Sequence, residues 1–417
     1  MPSQNEPEVS ITSDISSNGN NVEYAPRPKI DKHIWGIYIA LVVISLVELY
    51  SASSREITAG HIFSPLIRHI IHLSIGFVIM LCLQRVHYMV FKRLTWWIVG
   101  ASVIAALYTM KFGEIINGAR RSFSLGIMSV QPSELLKFSA ALLIARVIAD
   151  YTVNENGRSV VKDKAVKIIA GAILVFSGLL IYQGLTNTLL LMSISLSMLL
   201  IGGVKWKSFL IVIAVYGLLG GGYMLWSHFH AKQLDKKEKA EGMPYQTDRT
   251  GVRKDRIKSF FSDHLTDSIT PQNQQAQYSF IAQANGKIFG VGPGNSRETA
   301  RLPLAFSDYI YAIVIEDMGL IGGLFVLSLY LFLLARAGRV GLKCDSVYPA
   351  LLIIGMAVFI VFQALYHMAI VTGVFPVSGQ PLPFISKGGS AVIICSVAMG
   401  IMLSVSRYAP RKDDTAS

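Results

Sequence analysis

Charge is what this 417-residue chain has little of: 15% of its residues are charged, against 52% hydrophobic. Soluble domains carry about 25% charged residues, so an ordinary soluble globular protein is excluded. Cysteine is scarcer still. Cys82, Cys344 and Cys395 are scattered over apolar runs and one loop, which rules out a disulfide framework and a cysteine metal cluster. No GxxxxGK[ST] phosphate loop and no internal repeat occur. Residues 1–33 hold no apolar core ending in a small-residue cleavage site, so the first apolar run reads as a retained anchor rather than a removed signal peptide.

What is present is a succession of apolar runs of membrane-spanning length. Ten spans are read at 34–53, 66–84, 94–112, 132–150, 164–182, 185–202, 208–227, 308–335, 348–371 and 385–406, which gives an all-α polytopic membrane protein. Residues 1–33, rich in Ser, Asn, Glu and Pro, read as a disordered cytoplasmic tail, 34–407 as the transmembrane domain and 408–417 as a second cytoplasmic tail. Basic residues crowd every second loop: Arg85, Lys92 and Arg93, then Arg158 and Lys162, Lys205 and Lys207, Arg336 and Arg339, Arg407 and Arg411. Both termini are therefore expected in the cytoplasm. The net charge of +12 is a topology signal, and no nucleic-acid partner is needed to explain it.

That orientation puts the chemistry outside. Asp308 stands where a polar loop gives way to the apolar run YIYAIVI, with Glu316 and Asp317 about two helical turns further in. An acid there either caps a helix at the interface or marks a functional site. The third loop carries Arg120 and Arg121 against the positive-inside pattern, as an anion-binding pair or as plain surface arginines. Pro132 opens the fourth span, and Glu134 and Lys137 follow on one helix face as an ion pair, either functional or merely snorkelling. The ninth loop, TGVFPVSGQPLPFISKGGS, is too rich in Pro and Gly for helix, so at membrane depth it must be buried in protein or line a cavity. Ser386 and Lys387 close it. The long outer loop 228–307 holds a charge run, and QANGKIFGVGPGNS, a glycine-rich segment that reads as a phosphate cradle or as a turn-rich loop. His228 and His230 beside Trp226 and Phe229 read as an interfacial belt rather than a metal site.

Several of these stretches resemble one family. NGARRSFSLGIMSVQPSELLKF is similar to its GARRW–QPSE–K segment, RKDRIKSF to a basic RxxRIxxF stretch and FGVGPGNS to its glycine-rich motif. FSDYIYAIVIEDMGLIGG resembles its HTDFIFAVIGEELGLVG, and PVSGQPLPFISKGGSAVII its PVTGLPLPFISYGGSS. The family is SEDS (shape, elongation, division and sporulation), the polytopic peptidoglycan glycosyltransferases of bacteria, and the resemblance covers most of residues 34–408. The SKGG sequence and the long polar N-terminus suit its division-type FtsW branch better than the elongation-type RodA branch. The chain departs from the pattern at Phe306, Ser307, Asp317, Met318 and His367, and Gln183-Gly184-Leu185-Thr186-Asn187-Thr188 lacks the carboxylate of the family's QPDLGT.

The resemblance implies inverting polymerisation of lipid II, a disaccharide-pentapeptide on undecaprenyl pyrophosphate, for septal wall synthesis in the bacterial inner membrane. Asp308 would be the base; Arg120, Arg121, Lys137, Ser386 and Lys387 would hold the substrate, the cations neutralising its pyrophosphate. Glu134 would orient Lys137 or help hold a divalent cation (Mg or Mn), for which no ligand spacing is visible. Expected partners are a class B penicillin-binding transpeptidase, other divisome membrane proteins and membrane lipids. The competing classes are a lipid-precursor flippase and a non-catalytic divisome scaffold. Ser159-Val160-Val161-Lys162 matches SxxK, but with no companion motif it is read as chance, not as a transpeptidase site.

Overall fold

The computed structural model describes residues 30–53, 63–116, 119–125, 128–155, 158–222, 273–302, 306–376 and 378–409. The tail before residue 30, the His228 and His230 pair, the RKDRIKSF stretch and the tail from 410 lie outside the described residues.

Each expected span is a helix: α1 (Lys32–Ser53), α2 (Phe63–Leu83), α3 (Tyr88–Phe112), α4 (Pro132–Tyr151), α5 (Asp163–Gln183), α6 (Leu185–Ile201), α7 (Trp206–Gly222), then α9 (Ile310–Lys343), α10 (Val347–Val371) and α11 (Gly389–Tyr408). A further short helix, α8 (Gln274–Gly286), precedes α9. Six of them are long and apolar enough to cross a membrane, and α2, α6 and α7 contain shorter apolar stretches. Helix α4 is not among the six because it carries too many charges, Glu134, Lys137, Arg146 and Asp150, yet it is nearly all buried, packed on α3, α5, α6, α10 and α11. Polar groups on a spanning helix are tolerated where the bundle surrounds them. Helix α3 does the opposite, presenting Trp97 and Ile104 outward. The core is thus α4, α10 and α11, with α3 at the rim.

Two of the loops between helices are antiparallel ladders. β1 (Glu114–Ile116), β2 (Ala119–Leu125) and β3 (Met128–Val130) lie in that order beside α3 and α11, and β4 (Thr152–Glu155) pairs with β5 (Arg158–Val161). The SxxK match falls on β5 and its exit, where Val161 is buried and Lys162 stands at the N-cap of α5.

Both ends of the described chain come to the end of the bundle that holds Arg85 and Arg336. Asp31 pairs with Arg336 at 2.8 Å, and Tyr408 donates to the Arg85 carbonyl. Burial pushes the Asp31 carboxyl up, but the Arg336 guanidinium and the backbone N–H groups of His33 and Ile34 outweigh it and hold it below the ordinary value. Asp308 lies at the opposite end.

Helix α9 is broken at Gly319, whose φ of 72° and ψ of −176° are not helical. A break at membrane depth orphans backbone groups, and these must be satisfied by protein. The glycine-rich segment does so. Leu320 N–H donates to the Lys287 carbonyl (2.9 Å), while Val291 and Gly292 N–H donate to the carbonyls of Glu316 and Asp317 (both 2.9 Å). The approach is so close that a Cβ on Gly290 would stand 2.2 Å from the Asp317 carbonyl oxygen, and one on Gly319 2.2 Å from that of Ile288. The N–H groups of Val291 and Gly292 are therefore engaged by α9, so the segment works as a splint for the broken helix and not as a phosphate cradle.

Candidate functional site

Asp308 is half-buried, just before α9. The N-cap of that helix is Tyr309, so the interfacial-cap reading does not describe the place Asp308 occupies. Its Oδ1 accepts from Ser307 Oγ at 2.9 Å, and its Oδ2 faces Gly379, where an added Cβ would come within 2.9 Å. The proline-rich ninth loop wraps this corner. Lys387 N–H donates to the Phe306 carbonyl (2.9 Å), and Ser386 Oγ donates to the Ser307 carbonyl (2.7 Å) while accepting from Leu382 N–H (2.7 Å). Tyr330 Oη donates to the Pro383 carbonyl from the far half of α9. Ser386 is therefore a fastener of the Asp308 segment, and the Lys387 ammonium stands 5.6 Å from the Phe306 ring centroid.

Glu134 and Lys137 meet, at 2.7 Å, but in the bundle interior, with both side chains almost wholly buried. Glu134 Oε2 accepts from Gln363 Nε2, so both carboxylate oxygens are engaged. Lys137 Nζ also reaches Gln380 Oε1 at 3.4 Å, and Gln380 Nε2 donates to Asn187 Oδ1 at 2.9 Å. The carbonyl of Gln380 accepts from His367 Nδ1 at 2.6 Å. One residue of the ninth loop is thus held by α4, α6 and α10, and its neighbour Gly379 touches Asp308. Lys137 and Glu134 are brought to the back of the loop, not to an open face where a pyrophosphate could reach them. Nor is Glu134 disposed to hold a divalent cation, and the described residues contain no group of three His, Cys, Asp or Glu fit for a metal.

Arg120 and Arg121 lie on β2, with Arg120 paired to Ile115 on β1, and their side chains are outside the described residues. Glu316 and Asp317 are structural. Glu316 accepts from Ser296 Oγ and from the backbone N–H of Arg297 (3.0 Å), and Asp317 accepts from Ser51 Oγ, which in turn accepts from Gly294 N–H (2.7 Å).

Sequence reasoning missed Gln380, Gln363, Gly379 and the histidines of α2. His69 meets Ser45 Oγ at 2.8 Å beneath Ile385, and the His72 ring abuts Gly389, where a Cβ would stand 2.7 Å from Nε2. Polar residues three apart on an apolar helix were the available signal. The stretch 183–188 was visible as lacking a carboxylate, and the structure gives its Asn187 an accepting role toward Gln380.

Residues 31–411 match the model of the FtsW, RodA and SpoVE family of cell cycle proteins. A probable peptidoglycan glycosyltransferase FtsW from Coxiella burnetii is 28% identical over 386 residues, 89% of this chain and 95% of that protein. One from Enterococcus hirae is 30% identical, covering 91% and 92%. Stage V sporulation protein E of Bacillus subtilis is 26% identical. Among solved structures, a chain of a peptidoglycan synthase complex that coordinates polymerization and crosslinking superposes with a TM-score of 0.65 at 24% identity, over 91% of this chain and 98% of that one. RodA of Thermus thermophilus superposes with 0.60 at 22%, over the same shares. A splinted broken helix, a proline-rich loop fastened over one outer aspartate and a match across nearly the whole chain lead to one conclusion: this protein belongs to the FtsW–RodA–SpoVE family of cell cycle proteins, the SEDS family, on its FtsW-like branch.

Proposed function

We propose that the protein is a peptidoglycan glycosyltransferase that polymerises lipid II, with Asp308 as its general base. The carrying observation is that Asp308, half-buried, is held by Ser307 and Gly379 on a segment fastened at Ser386 and Lys387. In the reaction the carboxylate takes the proton of the acceptor sugar's 4-hydroxyl, and the oxygen attacks the donor's anomeric carbon with inversion. The undecaprenyl pyrophosphate leaves with the bonding pair. A positioned base contributes roughly 10²–10⁴-fold. Pyrophosphate departs without a protonating acid once its charge is neutralised, so one carboxylate and nearby cations suffice. Arg120, Arg121 and Lys387 serve as those cations; Lys137 and Glu134 hold Gln380 in place.

The break at Gly319 also favours a carrier reading, since transporters build sites on broken helices. Here, though, the orphaned groups beside the break bond to the glycine-rich segment, which fixes it rather than leaving a cavity to rock around. Purified protein given labelled lipid II, alone and with a class B penicillin-binding transpeptidase as its partner, is expected to yield glycan strands on a gel. None in either case, with movement of lipid II between leaflets of vesicles, would favour the carrier. The reading also puts both termini in the cytoplasm and the enzyme at the division septum. An impermeant thiol reagent outside should then label Gln272→Cys and not Lys343→Cys.

A further inference from the structure

At the end of the bundle opposite Asp308, helices α5 and α7 leave a groove of about 920 Å³. Three ammonium groups line it, Lys167, Lys205 and Lys207, against the single carboxylate of Asp163. Asp163 is already engaged by Ser208 Oγ at 3.5 Å and, loosely, by Lys205 at 3.9 Å. Three like charges gathered in one concavity repel one another and favour an anion between them. Topology alone asks for basic residues in this loop, but not for their convergence on a groove.

The rest of the lining is greasy. Val166 is buried in its floor, and Ala170 and Ile211 carry it toward the membrane interior. The same helix faces continue through Leu174 and Leu218, 50% and 76% exposed, so an apolar stripe runs on from the lysines. Trp206, 64% exposed at the rim, is a residue suited to the headgroup level. A soluble anion would use the lysines and leave the stripe bare. An anionic amphiphile matches both.

We propose that this groove binds an anionic phospholipid from the leaflet opposite the Asp308 site, its phosphate among Lys167, Lys205 and Lys207 and an acyl chain along Ala170 and Ile211. Basic pockets between spanning helices recognise lipid headgroups in this way, at about fivefold in affinity per lysine.

The test uses the full chain in phosphatidylcholine nanodiscs doped with phosphatidylglycerol, with retained lipids counted by native mass spectrometry. The wild type should keep one phosphatidylglycerol in preference to phosphatidylcholine. Lys167→Gln, Lys205→Gln and Lys207→Gln combined should weaken that preference roughly a hundredfold, with an unchanged thermal midpoint. Lys32→Gln, Arg339→Gln and Lys343→Gln combined remove equal charge outside the groove and should leave it intact. Ile211→Glu should expel the lipid while sparing the lysines. Equal loss in both triple variants would mean diffuse surface attraction and overturn the proposal, as would no loss in either. Retention by Ile211→Glu, with displacement by inorganic phosphate alone, would make this a phosphate site and overturn the lipid assignment.

Discussion

Two carboxylates on this chain, Asp308 and Glu134, sit on opposite sides of one loop and have opposite fates. Glu134 is buried, with one oxygen on Lys137 and the other on Gln363. Asp308 is half-buried at the mouth of α9, beside a glycine. A carboxylate whose two oxygens are engaged inside the bundle holds helices together. One that keeps a face toward the outer loops can meet a hydroxyl. The two are connected through the adjacent residues Gly379 and Gln380, so the buried pair sets the position of the loop that confines the half-buried acid.

The comparison breaks most easily on the buried side. Lys137→Met should strand Glu134 without its counter-charge and cost about 3–5 kcal/mol, read as a large fall in the thermal midpoint in detergent. Adding Glu134→Gln to it should recover much of that loss. A Lys137→Met protein of normal stability that merely needs more lipid II would move Lys137 to the substrate side.

On the exposed side, Asp308→Asn keeps size and shape but loses basicity. Polymerisation should fall at least about a hundredfold, with thermal midpoint and lipid II binding unchanged. Near-normal strand synthesis by this variant would take Asp308 out of the mechanism.

The link between the two can be loosened separately. Ser386→Ala removes a hydroxyl that bonds both Leu382 N–H and the Ser307 carbonyl, so about 1–2 kcal/mol of stability should go. Activity should drop less than in Asp308→Asn, because the base remains. Loss of activity equal to that of the Asn variant would give Ser386 a direct part in the reaction.

The smallest effect lies at the far end. Asp31 has its carboxyl held below the ordinary value of 3.8 in the folded protein. Its contribution is complete above that value and disappears as pH falls through the lower folded one. Arg336→Gln should therefore lower stability by about 1 kcal/mol at neutral pH and progressively less below pH 4, as a pH series of thermal midpoints would register.

The helices were legible because an apolar run has few other options in lipid, and Pro132 marked the start of α4. The outer aspartate and the fastening loop were legible as motifs. The α9 break was not, since Gly319 in an apolar run looks like any glycine in a helix; its φ of 72° becomes tolerable when Lys287 and Ile288 supply backbone partners from another segment. The ladders at 114–130 and 152–161 were missed because such short strands carry too little alternation to stand out.

Sequence by itself determined the class and which residues are ionisable near the outer face, because hydrophobic length and charge are local properties. Tertiary structure decided which of those charges are committed. Lys137 and Lys387 are both lysines near helix starts, yet one is enclosed by α4, α10 and the ninth loop while the other stands half-buried beside Phe306. That distinction depends on partners more than two hundred residues away for Lys137, and a pairing cost that falls on burial is invisible until the burial is known.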